Sequence, residues 1–220
     1  MKGEQLYMIW HDHKNLEGKH AFLGASNYHW INWTEDAFEN RYYGQFSTTI
    51  GTAIHALAHD CIVNRTKINK HDRHLIEMTL YHAYVPRGAY DPDAILTNLI
   101  PFVNDAIGFH MSSEILLYYN MYCFGTCDAI SFREKEKILR IHDLKTGSSP
   151  THMEQLLIYA ALFCLEYNKN PYDFKTELRI YQNFDMMVET PDPGEIKTYM
   201  DLIQDRSKLI GTYLERDGTN

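Results

Sequence analysis

The chain is short of positive charge. Its 220 residues hold 21 Lys and Arg against 29 Asp and Glu, a formal net charge of −8. That balance argues against broad, nonspecific polyanion binding, which normally needs a basic face. It leaves room for an enzyme that meets nucleic acid through a local patch and a metal ion. Cysteine is scarce too: Cys61, Cys123, Cys127 and Cys164 form no CxxC pair and no zinc-ribbon spacing. Cys61 and Cys164 fall on apolar faces of predicted helices, where a thiol behaves as a small hydrophobe. Long apolar runs are missing. The longest, residues 156–165, is too short to span a bilayer and contains Tyr159. The N-terminal residues lack the apolar core of a secretory signal. These absences point to a protein of the cytoplasm with no membrane association. No internal repeat or low-complexity tract is visible.

What is present is an ordinary globular composition, 45% hydrophobic and 23% charged. A chain of this length suits one domain with a sizeable core. Residues 1–46 carry Trp10, Trp30, Trp33, Tyr42 and Tyr43 and read as an irregular aromatic arm, with Thr34 capping one short helix. Over 47–67, Ile50, Ala53, Ile54, Leu57, Ala58, Cys61 and Ile62 recur at helical spacing, with Ser47 or Thr48 as cap. Helices over 72–84 and from Pro92 onward, the second kinked or divided at Pro101, read as a helical insertion (68–108) over one side of a sheet. From His110 the period changes to two. Short strands at 114–118 and 120–124 precede a hairpin over 125–147, GTCDAISFREKEKILRIHDLKTG. A breaker at 147–151, with Thr151 as cap, starts the most apolar helix, 152–167. A strand over 178–182 and a helix from Asp192 follow, and the last four residues read as frayed. The order predicts a mixed α/β fold, a central sheet with helices on its faces.

The hairpin would place Asp128, Asp143 and Lys145 at one rim of that sheet. Two carboxylates on adjacent strands can hold a hard divalent cation. Asp143 and Lys145 share a face because strand side chains alternate. A lysine beside a metal can orient or deprotonate a water and offset charge on a phosphorane-like transition state. The carbonyl of Leu144 could complete the metal shell. Each piece alone has a plainer reading: an edge-strand ion pair for Asp143 and Lys145, a turn residue for Asp128, a boundary histidine for His55. His55 and His59 have the spacing of a zinc-protease helix, but Ala56 stands where that reaction needs Glu.

The ordered set is more specific. Gly51-Thr52-x-x-His55 on a helix, Gly125-x-x-Asp128 and Asp143-Leu144-Lys145 on strands, and Gln155-x-x-x-Tyr159 on a helix resemble the motifs of the PD-(D/E)XK nuclease superfamily. Within it, the match is to the RecB-like exonuclease branch, which includes phage-encoded nucleases. The resemblance spans 51–159, and Ser26-x-x-x-Trp30 extends it toward that branch's N-terminal helix. It implies a restriction-endonuclease-like fold and a Mg²⁺- or Mn²⁺-dependent deoxyribonuclease, an exonuclease acting on linear DNA in processing or recombination, for a phage protein in the host cytoplasm. It also implies roles. His55, Asp128 and Asp143 would ligate the metal, joined by the carbonyl of Leu144. Lys145 would activate the attacking water and contact the scissile phosphate. Gln155 would orient Lys145 or the phosphate, and Tyr159 would contact the DNA. Glu114 is a further candidate for a second metal or an outer shell.

Two departures stand out. His59 occupies a position where some relatives carry a carboxylate, which argues against a second metal site. No Cys precedes the His55 helix or follows the Tyr159 helix, so no iron–sulfur cluster is expected. An endonuclease shares the same core residues, and so does a catalytically silent binding module of the same fold. A homo-oligomer or a recombination partner is compatible with either. The basic turn at 133–137 has two readings, a DNA contact or a soluble hairpin tip.

Overall fold

A computed structural model describes residues 11–147 and 150–218. Trp10 of the aromatic arm, residues 148–149 of the breaker and the last two residues of the expected frayed end lie outside the described residues. The chain divides into two units, Met1–Gln45 and Phe46–Asn220.

In the first unit no described residue is buried. Short 3-10 turns over Lys14–Leu16 and Ala25–Asn32 lead to α1, Glu35–Gly44. Thr34 caps α1 by accepting from the Ala37 N–H, as its sequence position predicts. Phe22 collects the rings of Trp33, Phe38 and Tyr42, with centroids 5.8, 5.6 and 5.9 Å away. Arg41 covers Trp33 from 4.6 Å.

The second unit is α/β: a five-stranded mixed sheet flanked by helices. Its elements are α2 (Ser47–Val63), α3 (Arg73–His82), α4 (Pro92–Gly108), β1 (Ser112–Asn120), β2 (Cys123–Arg133), β3 (Ile138–Leu144), α5 (Glu154–Glu166), β4 (Lys175–Gln182), β5 (Asp185–Glu189) and α6 (Pro193–Asp217). The strands lie in sequence order. β3 and β4 are parallel because α5 crosses between them, and the other neighbours are antiparallel. Two apolar layers cover the sheet. Ile54, Leu80, Leu99 and Val103 of α2, α3 and α4 pack with Ala129, Leu144 and Tyr181. Leu157, Ala161, Ile196 and Ile203 of α5 and α6 pack with Leu117, Leu139, Ile141 and Ile180. Among the described residues, no helix is long and apolar enough to cross a membrane.

Several local expectations change. Pro101 lies inside one continuous helix. The stripe Leu96, Leu99, Phe102, Val103 and Ala106 is buried on both sides of it. Burial at about 1.5–3 kcal/mol per large side chain outweighs the roughly 3 kcal/mol that an interior proline costs. The strand expected at 120–124 is broken by the β1–β2 turn at Met121 and Tyr122: Asn120 ends β1 and its side chain accepts from the Tyr122 N–H at 2.9 Å, while Cys123 and Phe124 begin β2. α2 starts from Phe46 with no side-chain cap. The Thr151 hydroxyl donates to Gln182 at 3.1 Å rather than capping α5, whose cap position is Met153. β5, not expected from the sequence, pairs with β4.

Candidate functional site

The site lies where α2, β1, β2, β3 and α5 converge. His55 lies beside the buried Ile54/Ala58 stripe of α2, and its half-buried ring reaches the sheet at Asp128. Its Nδ1 lies 3.3 Å from Asp128 Oδ1 and 4.0 Å from Glu114 Oε1. Ligand atoms of His55, Glu114 and Asp128 all fall within 4.8 Å of one another. They open onto a cleft of about 600 Å³ also lined by Gly51, Thr52 and His59. The buried Nδ1 of His59 has no hydrogen-bond partner.

Glu114 reaches this cluster through an unusual backbone. Its φ is +56° inside β1. The flanking pairs Ser113↔Ala129 and Ile115↔Cys127 put it opposite Asp128. A non-glycine residue in that region costs of the order of 1–3 kcal/mol, a strain found at functional sites.

The second half of the site is a chain of polar contacts. Asp128 Oδ2 accepts from the Leu144 N–H at 2.8 Å, which ties β2 to the end of β3. Lys145 Nζ donates to Asp143 Oδ1 at 3.1 Å and to Gln155 Oε1 at 2.9 Å. Gln155 Nε2 donates to the Tyr159 hydroxyl at 3.2 Å, and that hydroxyl donates to the Thr126 carbonyl at 2.7 Å. The glycine at 125 lets Tyr159 approach closely: a Cβ there would lie 3.0 Å from Tyr159 Cε1, so the ring would have to shift. The Asp143 Oδ2 atom is buried. Lys145 Nζ stands 3.0 Å from it as an ion-pair partner, and the oxygen accepts no hydrogen bond.

Electrostatically the site holds more negative charge than it neutralises. Burial, then the charge of Asp128, pushes the Asp143 carboxyl up to about 6, with Lys145 pulling the other way. Burial and the Asp128 charge raise the Glu114 carboxyl as well. Burial pulls the His55 imidazole down, but the Asp128 hydrogen bond and the charges of Asp128, Asp143 and Glu114 prevail and raise it. Beside the site, His142 is fully buried among Arg140, Arg179 and Tyr181. Burial and those two guanidinium charges hold its imidazole at about 3.

The structure thus places His55, Glu114 and Asp128 in one cluster, and Asp143, Lys145, Gln155 and Tyr159 in one hydrogen-bonded chain, joined by the Asp128–Leu144 bond. The contact it describes for Leu144 is made by the N–H. The Thr126 carbonyl, which seats Tyr159, had no side-chain signal in the sequence. In the basic turn, Arg133 pairs with Glu136 at 3.1 Å and Glu134 with Lys169 at 2.8 Å, so its charges are partly offset.

The donor set fits a hard or borderline dication. It offers imidazole nitrogen, several carboxylate oxygens, uncompensated negative charge and one buried carboxylate oxygen without a donor. Comparison of the chain with protein-family models, curated proteins and solved structures gives no match.

Proposed function

We propose that this protein is a divalent-metal-dependent deoxyribonuclease with a restriction-endonuclease-like fold of the PD-(D/E)XK type, acting as an exonuclease on linear DNA. One observation carries the reading: four motifs far apart in sequence meet at one rim, with His55 and Asp128 3.3 Å apart and Lys145 bonded to both Asp143 and Gln155. A bare fold or a bare D-x-K would not support it.

His55, Asp128 and Asp143 would hold Mg²⁺ or Mn²⁺, with Glu114 from the facing strand and the Leu144 carbonyl able to join them. The bound ion would supply Lewis-acid polarisation of the phosphate and a more acidic water. The remaining work belongs to the chain. Asp143 and Gln155 fix the Lys145 ammonium between them, so Nζ can donate to a phosphate oxygen or orient the attacking water without searching rotamers. Positive charge at that atom offsets the charge that builds on the phosphoryl oxygens. Tyr159, braced by the Thr126 carbonyl, holds Gln155 in place and would contact the DNA. Hydrolysis adds the water oxygen to phosphorus, breaks one ester P–O bond and returns a proton to the leaving oxygen.

The test is cleavage of labelled linear single- and double-stranded DNA in Mg²⁺ or Mn²⁺, with ends free or blocked. End-dependent, metal-dependent degradation that Lys145→Ala abolishes supports the reading. Equal degradation by that variant, or none by wild type, sinks it. Cutting of end-blocked DNA would make it an endonuclease. The net charge of −8 favours a second reading, a catalytically silent module of the same fold. That reading expects no thermal shift with Mn²⁺, whereas a live site is stabilised by the ion it binds.

A further inference from the structure

We propose that the outer face of the β1–β2 hairpin is a stacking platform for the unpaired bases of a single DNA strand entering the site. The inference rests on the nuclease reading and names the form of DNA that it takes. Ile115 and Leu117 pack into the layer under α5 and α6. Leu116 and Tyr118 therefore project from the other face, the side on which Glu114 reaches His55. Cross-strand from Tyr118 lies Phe124. Their rings are 6.5 Å apart and inclined by only 29°. Tyr118 is 41% and Phe124 54% exposed, and Leu116, Met121 and Tyr122 beside them are more than half exposed. Large apolar groups so exposed and contiguous mark an interaction surface.

Position and charge choose the occupant. Phe124 precedes Asp128 by four residues on one strand, about 13 Å, which is about the reach of two extended nucleotides. The platform is thus in line with the metal cluster. No Asp, Glu, Lys or Arg occurs between residues 115 and 127. In a chain with a net charge of −8, this hairpin brings no charge of its own; the carboxylate at its edge, Glu166 of α5, is tied down by the Tyr118 N–H at 2.9 Å. Base faces need no basic group to stack on aromatic rings, and the contact tolerates any sequence. Bases paired in a duplex keep those faces covered, so the platform selects a frayed or single-stranded end.

The test is fluorescence anisotropy of a labelled oligothymidylate with the full chain in Ca²⁺, a hard dication for the same carboxylates. Tyr118→Ala and Phe124→Ala should each weaken binding about ten-fold, from the usual worth of one stacked base. Phe124→Trp should restore affinity, and the control Tyr84→Ala, at a 90% exposed tyrosine of another loop, should leave it unchanged. Unchanged affinity in the platform variants, no binding by wild type, or an equal loss in Tyr84→Ala would overturn the proposal. So would light scattering in which the variants dissociate a dimer, since the face would then join two copies of the chain. Metal-dependent hydrolysis of thymidine 5′-p-nitrophenyl phosphate by wild type, a substrate too small to span the platform, tests the nuclease reading separately.

Discussion

Replacing Asp143 by Asn should make the metal-free protein more stable while removing the proposed nuclease activity. Asp143 is 3% exposed, and burial and the charge of Asp128 raise its carboxyl from 3.8 to about 6. Below about pH 4 it is protonated in both folded and unfolded chains, and no stability difference arises. As pH rises from about 4 to about 6, the unfolded chain ionises while the folded one resists, so folding stability is lost across that window. Above it the full penalty remains. Each tenfold displacement of the proton equilibrium is about 1.4 kcal/mol, so the penalty is about 3 kcal/mol. Asn keeps the shape and carries no charge. That penalty already includes the attraction of Lys145, which pulls the carboxyl down. The net gain near neutral pH is therefore about 3 kcal/mol, a rise in Tm of about 6–12 °C for a chain of this size. Thermal unfolding of both proteins in EDTA, near neutral pH and again near pH 4, measures it. The gain should vanish at the acid end. A variant that melts no higher than wild type near neutral pH, or a gain that persists near pH 4, would refute the crowded-carboxylate argument.

Two other perturbations separate packing from charge. Gly125→Ala pushes its new Cβ against the Tyr159 ring, 3.0 Å away. It should break the Tyr159–Thr126 bond and lower Tm by about 2–4 °C, the loss of about 1 kcal/mol; in a Tyr159→Phe background the two losses should fail to add, as a double-mutant cycle would read. His142, held neutral down to about 3 against a usual 6.5, makes the folded chain refuse a proton that the unfolded chain accepts. Stability should therefore fall as pH drops from about 6.5 toward about 3, by about 1.4 kcal/mol per pH unit from this residue alone. Denaturant titrations of His142→Phe should show a flatter slope there than wild type.

The sequence is most readable where side chains repeat. The Ile50-to-Ile62 stripe names α2, and the alternation around Asp128 and Asp143 names β2 and β3, so the residues with polar or ionisable ends could be placed on elements before any geometry. What stayed hidden lies in the backbone. β5 buries no residue, and its turn puts Asn183 and Phe184 at φ +52° and +65°. A phenylalanine in a position that favours glycine masks the usual hairpin signal. Glu114 was a candidate by type, but its entry into the His55 cluster depends on a left-handed backbone that no pattern announces. Pro101 misled in the other direction, because tertiary burial overrode a local rule. The caps at Ser47 and Thr151 failed for a related reason: suitable residues stood near the helix ends, but Thr151 found a partner in Gln182 instead.

The central claim is that Lys145, held by Asp143 and Gln155 beside the His55–Asp128 cluster, serves phosphodiester hydrolysis. Its most direct test is degradation of end-labelled linear DNA in Mn²⁺ by wild type and by Lys145→Ala, with melting curves to confirm that both are folded. The account predicts metal-dependent degradation by wild type, none in EDTA, and at least a hundred-fold slower reaction in the variant, about the loss expected from one electrostatic donor to the transition state. Equal rates for the two proteins, or degradation that EDTA leaves untouched, would contradict it.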